Sequence, residues 1–471
     1  MTGVATAPAE ASTPFERAFE RAANAPAIAG NRVEVLVDGP DTYDTMIAQI
    51  ELATRRIHIE QYIFNDDACG SRFADALIAR AAAGVRIRIL YDWLGCLGTP
   101  NKFWRKLRRA GIDARPFGKP RLADPLFFIS RDHRKVLIVD GMRAVTGGLC
   151  IGDEWTGDAK QCSGPWRDTA ISIEGPGAQG LDAAFRRAWM FAGGDAPDDA
   201  TEIDAQVASC GDTTVRVIAT EPGRERAFRI IDLILAIAEE KIWLTEAYLV
   251  APQRLYQAFK DAARDGVDVR MLLPGQSDLR VVRNLTRSGY RGLMGSGVRI
   301  WEWGGPMLHA KTIVADGRWV RVGSSNLNPS SLLANWELDV LIDDRAIAGT
   351  MESQFLTDIA RSSEVVRRPR RIPVLFGRSV PPALARSNPE AGQPARHVPG
   401  VRERRRRAVI ALSGLVSGAR AAVFGPMAAL LLLVAVLFVL FPGPMAWVAA
   451  SLCGVFGSMA LVRALGHRAR G

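Results

Sequence analysis

The sequence predicts an α/β protein made of two duplicated halves that share one functional site, followed by a C-terminal membrane hairpin. Three observations carry this prediction: an alternation of strand and helix patterns that occurs twice, a short polar motif that also occurs twice, and a long uncharged stretch near the C terminus. A chain of 471 residues has room for two or three domains, each large enough to bury its own core.

The first half, which we place at residues 31–200, opens with an alternating strand pattern over 32–37. Residues 1–30 before it are rich in alanine and proline, and we expect them to form a loosely ordered, flexible head. Residue spacing then predicts a helix over 43–55, a strand over 56–63, a second helix over 72–83 and, after a break at Gly84, a strand over 85–90. This succession is typical of a sheet with helices on its faces.

The second half, which we place at residues 201–363, repeats the same succession. The sequence predicts a helix over 228–239, a strand over 242–245, a helix over 255–264, a strand over 267–272 after Gly266, and a closing helix over 346–361. Gly266 lies 182 residues after Gly84, and the motif histidines described below are 176 residues apart. The two halves therefore differ mainly in loop length, which indicates an internal duplication.

The duplicated motif has the form His-x-Lys followed, after four residues, by Asp. The chain has only five histidines, and two of them occupy this motif. Its residues are the main catalytic candidates: His133, Lys135 and Asp140 in the first copy, and His309, Lys311 and Asp316 in the second. Residues i and i+2 of an extended chain project to the same face, so duplication permits a pseudo-twofold arrangement with the two histidines face to face in one site.

Each copy of the motif runs into a glycine turn, GGLC at 147–150 and GSSN at 323–326. In these residues, and in the surrounding stretches DHRKVLIVDG and HAKTIVADGRWVRVGSSNLNPSS, the chain resembles the phospholipase D superfamily. Within that superfamily it is most similar to bacterial cardiolipin synthases. The resemblance covers roughly residues 31–344, and it implies two phospholipase D-like α-β-α sandwich halves with one shared active site.

The residue types in the motif suit reactions of phosphodiesters. Such a reaction needs a nucleophile, an acid for the leaving oxygen, and positive charge around the phosphoryl oxygens. Imidazole can act as nucleophile or acid near neutral pH, and lysines supply the charge. The resemblance implies a phosphohistidine intermediate, with His133 as nucleophile and His309 as acid and base by analogy. The residues alone do not order the two roles.

The resemblance also implies supporting residues. Asp168 and Glu337, which follow their respective histidines by 35 and 28 residues, match carboxylates that hold the imidazoles. Ser324 and Asn326 are the candidates for phosphate binding. At the place of that asparagine the first half has Cys150, and because a thiol is a weak donor, one phosphate contact is lost or replaced. We expect Asp140 and Asp316 to brace the turn after each strand rather than to touch substrate.

The distribution of charge points to a membrane and away from nucleic acid. The net charge is +10, but the stretch from Glu364 to the C terminus holds sixteen arginines and three glutamates, which leaves −3 on residues 1–363. A protein that binds nucleic acid non-specifically carries positive charge on its working domain. The six cysteines show no C-x-x-C pair, which indicates reduced thiols, and with so few histidines we expect no metal or other cofactor.

The C-terminal region changes character twice. Residues 364–420 form a basic linker, and the next 42 residues, 421–462, contain no charged residue. We expect a transmembrane hairpin over 421–463, broken at Pro442-Gly-Pro444, with both basic flanks in the cytoplasm. A buried hairpin in a soluble domain is the alternative. With the resemblance, this predicts a bacterial inner-membrane protein with its catalytic part on the cytoplasmic side, and phospholipids of that bilayer as substrates.

Several readings of the function stay open at this point. The site suits a phosphatidyltransferase that makes cardiolipin from phosphatidylglycerol, a phospholipase D that uses water as acceptor, a phosphodiesterase of nucleic acid, or an inactive relative that only binds lipid. The apolar run at 126–129 is either core or a lip that contacts lipid chains. The sequence leaves open the donor phospholipid, the acceptor alcohol and the oligomeric state.

Overall fold

The structure of the protein is a computed structural model, and it describes residues 14–120, 130–157, 164–195 and 207–366. The apolar run at 126–129, the basic linker beyond residue 366 and the expected hairpin at 421–463 lie outside these residues. Within the described ranges, no helix has the length and hydropathy needed to cross a bilayer.

The secondary structure follows the predicted alternation. The first half contains α1 (Pro14–Ala23), β1 (Ile28–Val37), α2 (Asp38–Glu51), β2 (Arg56–Gln61), α3 (Ala68–Ala82), β3 (Arg86–Asp92), α4 (Asn101–Arg109), β4 (Asp113–Phe117), β5 (Val136–Val139), β6 (Arg143–Gly147), β7 (Thr169–Glu174) and α5 (Pro176–Phe191). The second half contains β8 (Thr213–Thr220), α6 (Arg226–Ile237), β9 (Lys241–Glu246), α7 (Gln253–Arg264), β10 (Asp268–Pro274), α8 (Arg280–Met294), β11 (Arg299–Trp303), β12 (Lys311–Ala315), β13 (Trp319–Gly323), β14 (Glu337–Asp343), α9 (Arg345–Ala360) and β15 (Ser362–Glu364).

All fifteen of these strands belong to one mixed sheet, in the order β4-β3-β2-β5-β6-β7-β1-β8-β14-β13-β12-β9-β10-β11-β15. From the central β1–β8 pair outward, β1-β7-β6-β5-β2-β3-β4 corresponds strand for strand to β8-β14-β13-β12-β9-β10-β11. The pairing is parallel in β2-β3-β4 and in β9-β10-β11, and antiparallel in the strands between them. The duplication seen in the sequence is therefore a pseudo-twofold repeat of the sheet.

Helices cover both faces of this sheet. The core of the first half packs α2, α3 and α4 against one face, and the core of the second half packs α1, α6, α7 and α8 in the same manner. A third core lies on the other face and draws residues from both halves around α5 and α9. Helix α5 contacts β8 of the second half, and α9 contacts β1 of the first. The two halves therefore share a core as well as a sheet.

The expected flexible head is wrong for the part of it that the structure describes. Residues 14–23 form helix α1, which packs on α6, and Phe19, Ala22 and Ala23 are buried in the core of the second half. Strand β1 begins at Ile28, four residues earlier than predicted. Alanines were interpreted as a sign of disorder, but here they let α1 approach its neighbour closely, and burying the Phe19 ring favours order.

The motif aspartates brace turns at the end of the strand that follows each motif. Asp140 follows β5 and its carboxylate accepts from the N–H groups of Thr54, Arg55 and Arg56 at 2.8–2.9 Å. Asp316 follows β12 and accepts from the N–H groups of residues 239–241 at 2.9–3.0 Å. Both have positive φ, 53° and 51°, which aspartate tolerates. These hydrogen bonds agree with a bracing role, and a catalytic role for either aspartate stays a prediction.

We predict that Asp140→Ala lowers the free energy of unfolding by about 2–4 kcal/mol, because three backbone N–H groups lose a charged acceptor. The shift is measured as the midpoint of denaturant unfolding. Asp140→Asn, which keeps one acceptor oxygen and tolerates positive φ, should lose less. The folded Asp140→Ala protein should keep its catalytic rate. A large loss of kcat without a loss of stability would place this carboxylate in the chemistry instead.

Candidate active site

The histidines and lysines of the motif meet at the junction of the two halves. His133 and Lys135 lie in the extended segment that enters β5, and Lys311 is the first residue of β12. The other His-x-Lys residues lie just ahead of β5 and β12. In each half the motif histidine precedes the strand and the motif aspartate follows it. The imidazole and the aspartate therefore lie at opposite ends of the strand.

Backbone pairing joins each histidine segment to the other half. The N–H of His133 donates to the carbonyl of Trp336 at 2.9 Å, and the N–H of His309 donates to the carbonyl of Arg167 at 2.7 Å. Trp336 immediately precedes Glu337, and Arg167 immediately precedes Asp168. Each histidine segment is therefore bound to the segment that carries the carboxylate of the other half.

The side chains follow this crossed pairing. His133 Nδ1 lies 3.0 Å from Glu337 Oε2, and His309 Nδ1 lies 2.7 Å from Asp168 Oδ2. All four residues are buried. The sequence had associated each carboxylate with the histidine that precedes it in the chain, whereas each one holds the histidine of the opposite half. A carboxylate on Nδ1 keeps the proton there and leaves Nε2 as the nitrogen for chemistry.

Further hydrogen bonds hold the two carboxylates in place. Glu337 Oε2 accepts from the hydroxyl of Ser324 at 2.5 Å, and its other oxygen accepts from the Ser331 hydroxyl. Asp168 accepts from the Trp155 indole N–H at 2.9 Å. At Gly148, a Cβ atom would lie 2.1 Å from an oxygen of Asp168, so this position requires glycine. The turn after the first motif therefore makes room for Asp168, and Ser324 of the turn after the second motif helps to position Glu337.

Burial and charge set the protonation of the pairs. Burial lowers the pKa of His309 to about 4, with Lys311 adding to the effect and Asp168 opposing it. Burial also lowers the pKa of His133, against Glu337, which raises it. For both carboxyl groups burial acts to raise the pKa, but the histidine partner, a motif lysine and a further hydrogen bond together hold it below its usual value. Both imidazoles are therefore neutral near pH 7 when the site holds no anion.

The two motif lysines bring positive charge into this buried site. Lys135 Nζ donates to the carbonyl of His133 at 2.5 Å, and Lys311 Nζ donates to the carbonyl of His309. Burial lowers the pKa of Lys311 to about 8, and the charge of Lys135 lowers it further against the nearby Asp168. A phosphodiester anion between the two lysines would offset the cost of burying their charges and would reduce their mutual repulsion.

Aromatic rings form walls around the histidines. The Tyr62 ring lies 4.6 Å from His133, and the rings of Trp155, Trp166 and Tyr248 lie 5.5–6.0 Å from His309. We had not identified any of these rings as site residues. A signal was present, because Tyr62 and Tyr248 each lie within two residues of the end of equivalent strands, β2 and β9.

The candidates for phosphate binding have different environments. The Ser324 hydroxyl donates to Glu337, and its role in phosphate binding stays a prediction. Asn326 is buried, and its Oδ1 has no hydrogen-bond partner among the described residues. Cys150 occupies the matching place in the first half, and burial raises the pKa of its thiol although both motif lysines lower it. The first half therefore presents a neutral thiol where the second presents an amide.

Two buried arginines join the halves behind the site. Arg134, between His133 and Lys135, donates to the carbonyls of Glu337, Ala184 and Thr220 at 3.1 Å. Arg167 forms an ion pair with Asp358 of α9 at 2.8 Å. Because residue i+1 of an extended segment faces away from i and i+2, the arginine between the histidine and the lysine reaches the interface rather than the substrate.

The described part of the chain offers no group of three or more histidine, cysteine, aspartate or glutamate side chains placed to hold a metal ion. Its four cysteines, Cys69, Cys96, Cys150 and Cys210, are free thiols. The charged groups that face the histidines are the motif lysines and the two carboxylates.

Comparison with known proteins identifies the family. Residues 46–155 and 231–359 match the family model described as cardiolipin synthase, PLD-like domain. The chain is 30% identical over 353 residues to a cardiolipin synthase of Halalkalibacterium halodurans, covering 74% of this chain and 70% of that protein. It is 33% identical over 345 residues to a cardiolipin synthase of Listeria monocytogenes, covering 71% and 70%.

A solved structure supports the fold. The phosphatidylserine synthase of Haemophilus influenzae superimposes with a TM-score of 0.57 at 15% identity, covering 75% of this chain and 92% of that one. Together, the two matched segments of the family model, the pseudo-twofold sheet and the relatives that extend over most of the chain lead to one assignment. This chain belongs to the cardiolipin synthase family of the phospholipase D superfamily.

Proposed function

We propose that this protein is a phosphatidyltransferase that makes cardiolipin from phosphatidylglycerol through a phosphohistidine intermediate. The observation that carries the proposal is the pair of buried histidines, each held at Nδ1 by a carboxylate and each beside a lysine. The relatives that match over about 70% of their own length are cardiolipin synthases. A two-step reaction with a covalent intermediate lets a second alcohol enter after the first has left.

In the first step, Nε2 of His133 attacks the phosphorus of one phosphatidylglycerol. A phosphorus–nitrogen bond forms, the phosphorus–oxygen bond to the glycerol headgroup breaks, and the imidazolium of His309 protonates the departing oxygen. The substrate anion raises the pKa of His309, so this proton is taken up with the substrate. In the second step, neutral His309 accepts the proton of a primary hydroxyl on another phosphatidylglycerol, whose oxygen displaces His133. Lys135 and Lys311 neutralise the phosphoryl oxygens throughout.

The order of the two histidines follows the family resemblance. The pKa of about 4 for His309 also suits a nucleophile, because only a neutral imidazole attacks. Rapid quenching of the reaction separates the two orders. With His133 as nucleophile, His309→Ala should still form a small amount of phosphoenzyme, whereas His133→Ala should form none. The opposite result would exchange the roles.

We predict that the purified protein converts phosphatidylglycerol in vesicles into cardiolipin and free glycerol in equal amounts. His133→Ala and His309→Ala should each reduce this turnover by at least 10³-fold, because both steps use both residues. Lipid mass spectrometry and a glycerol assay give the two yields. Accumulation of phosphatidic acid in place of cardiolipin would make water the acceptor and the protein a phospholipase D.

We also propose that the catalytic part works at the surface of the bacterial inner membrane, held there by the C-terminal region. Residues 421–462 contain no charge and follow a run of four arginines. In the described part, Leu279, Val281 and Leu285 at the start of α8 are 50–72% exposed. The neighbouring Asp278 accepts from the Tyr248 hydroxyl at 2.8 Å, which links this apolar surface to the wall of the site.

We predict that removal of residues 402–471 releases a folded catalytic part that turns over bilayer phosphatidylglycerol at least tenfold more slowly than the full chain. Co-sedimentation with vesicles measures the loss of binding. A truncated protein that still sediments fully would contradict the anchor. Substituting Val281 and Leu285 by Asn in that protein would then test whether α8 supplies the attachment.

A further inference from the structure

A third buried carboxyl group lies beside the two histidine–carboxylate pairs. Glu246 is the last residue of β9, is fully buried, and stands directly opposite Lys311 in the antiparallel pairing of β9 with β12. Directly opposed residues of an antiparallel pair project from the same face of the sheet. The Glu246 carboxyl group therefore lies on the side of the sheet that carries the Lys311 ammonium.

Glu246 is incompletely hydrogen-bonded for a buried carboxyl group. Its Oε1 accepts from the N–H of Tyr248 at 3.1 Å, and the N–H of Leu327 also acts on the carboxyl group. Its Oε2 has no hydrogen-bond partner of normal geometry among the described residues. Arg321 on β13 is the cation that acts on it most strongly, with Lys311 next, and the same guanidinium also forms an ion pair with Asp339 at 2.7 Å. An acid with an unsatisfied oxygen is costly to bury, so its presence beside a site lysine calls for a functional reason.

The first half lacks this charge. The pairing of β2 with β5 matches Glu60 with Val136, so the next residue, Gln61, stands opposite Lys135. Gln61 is also buried, and its Oε1 likewise has no partner among the described residues. In each half the motif lysine therefore faces the equivalent position of the neighbouring strand. That position holds the neutral amide of Gln61 in the first half and the acid Glu246 in the second.

We propose that Glu246 is the counter-charge that keeps the Lys311 ammonium protonated in the buried site between turnovers, and so acts on phosphate binding through that lysine. This inference rests on the proposed function, because it concerns how the site holds its phosphodiester. Lys135 and Lys311 repel each other across a site of low polarity. If a neutral glutamine stood opposite both lysines, their repulsion would favour loss of a proton from one of them. The carboxylate of Glu246 opposes that loss at Lys311.

The pKa shifts of Glu246 and Lys311 have the direction that this proposal requires. Burial raises the pKa of Glu246 to about 7, although Arg321 and Lys311 lower it. Burial lowers the pKa of Lys311 to about 8, Lys135 lowers it further, and Asp168 and Glu246 raise it. Above about pH 7 the carboxylate is ionised and supports the ammonium, and above about pH 8 the ammonium loses its proton. Without the carboxylate, Lys311 loses its proton at a lower pH.

The test is the pH profile of kcat/KM for the full-length Glu246→Gln protein with phosphatidylglycerol vesicles. At pH 6, where Glu246 is protonated, the variant should match the wild type. The alkaline limb should move down by about one pH unit, since an opposite charge nearby shifts a pKa by that order. The loss should be about fivefold at pH 8, approach tenfold at higher pH, and lie mainly in KM. Glu246→Asp, which keeps the charge, should restore the wild-type limb.

Gln61→Glu is the matched control, since it adds a carboxyl group opposite Lys135 and leaves Lys311 unchanged. Its alkaline limb should not move down. An unchanged alkaline limb in Glu246→Gln, or a limb that moves up, would overturn the inference while leaving the proposed function intact. If the wild type transfers no phosphatidyl group at any pH, the proposed function fails. The inference is then decided by the affinity for inorganic phosphate, which should fall at lower pH in Glu246→Gln than in the wild type.

Discussion

The crossed pairing of each histidine with the carboxylate of the opposite half is the interaction on which the rest of the site depends. It is imposed by the backbone, because the residue before each carboxylate accepts a hydrogen bond from the N–H of the opposite histidine. Neither half alone contains a complete pair. A separated half would leave a buried imidazole and a buried carboxylate without partners, which costs several kcal/mol for a charged group.

The fold is arranged to make that junction rigid. The central β1–β8 pair continues one sheet through both halves, and α5 and α9 each reach across to a strand of the other half. Arg134 adds three hydrogen bonds to carbonyls from both halves while remaining fully buried. Reacting groups held by packed strands and buried hydrogen bonds lose little freedom when substrate binds, which is how positioning contributes to rate.

Much of this arrangement could be predicted because duplication is visible in a sequence. The repeated motif and the repeated strand and helix patterns led to two halves and one shared site, and the repeated sheet and the family match agree with that organisation. The crossing could not be predicted, since separation along the chain says nothing about which of two similar segments lies nearer in space. The roles of the histidines and lysines stay predictions.

Other differences have separate physical causes. The family resemblance made Ser324 a candidate for phosphate binding, and the structure adds a second task for its hydroxyl, which is to satisfy the buried carboxylate of Glu337. The ordered helix α1 was missed because composition does not show which apolar face a short helix can cover. Glu246 was missed because a single acid at the end of a strand has no pattern, and its meaning appears only when the strand register places it against Lys311.

The most direct measurement of one shared site is the binding of vanadate, an analogue of the phosphoryl transition state, with its stoichiometry taken from calorimetry and its position from a structure of the complex. A shared site predicts one vanadate per chain, lying between Nε2 of His133 and Nε2 of His309, and loss of that single site in either alanine variant. Two vanadates per chain, one at each motif and each surviving loss of the other histidine, would contradict it.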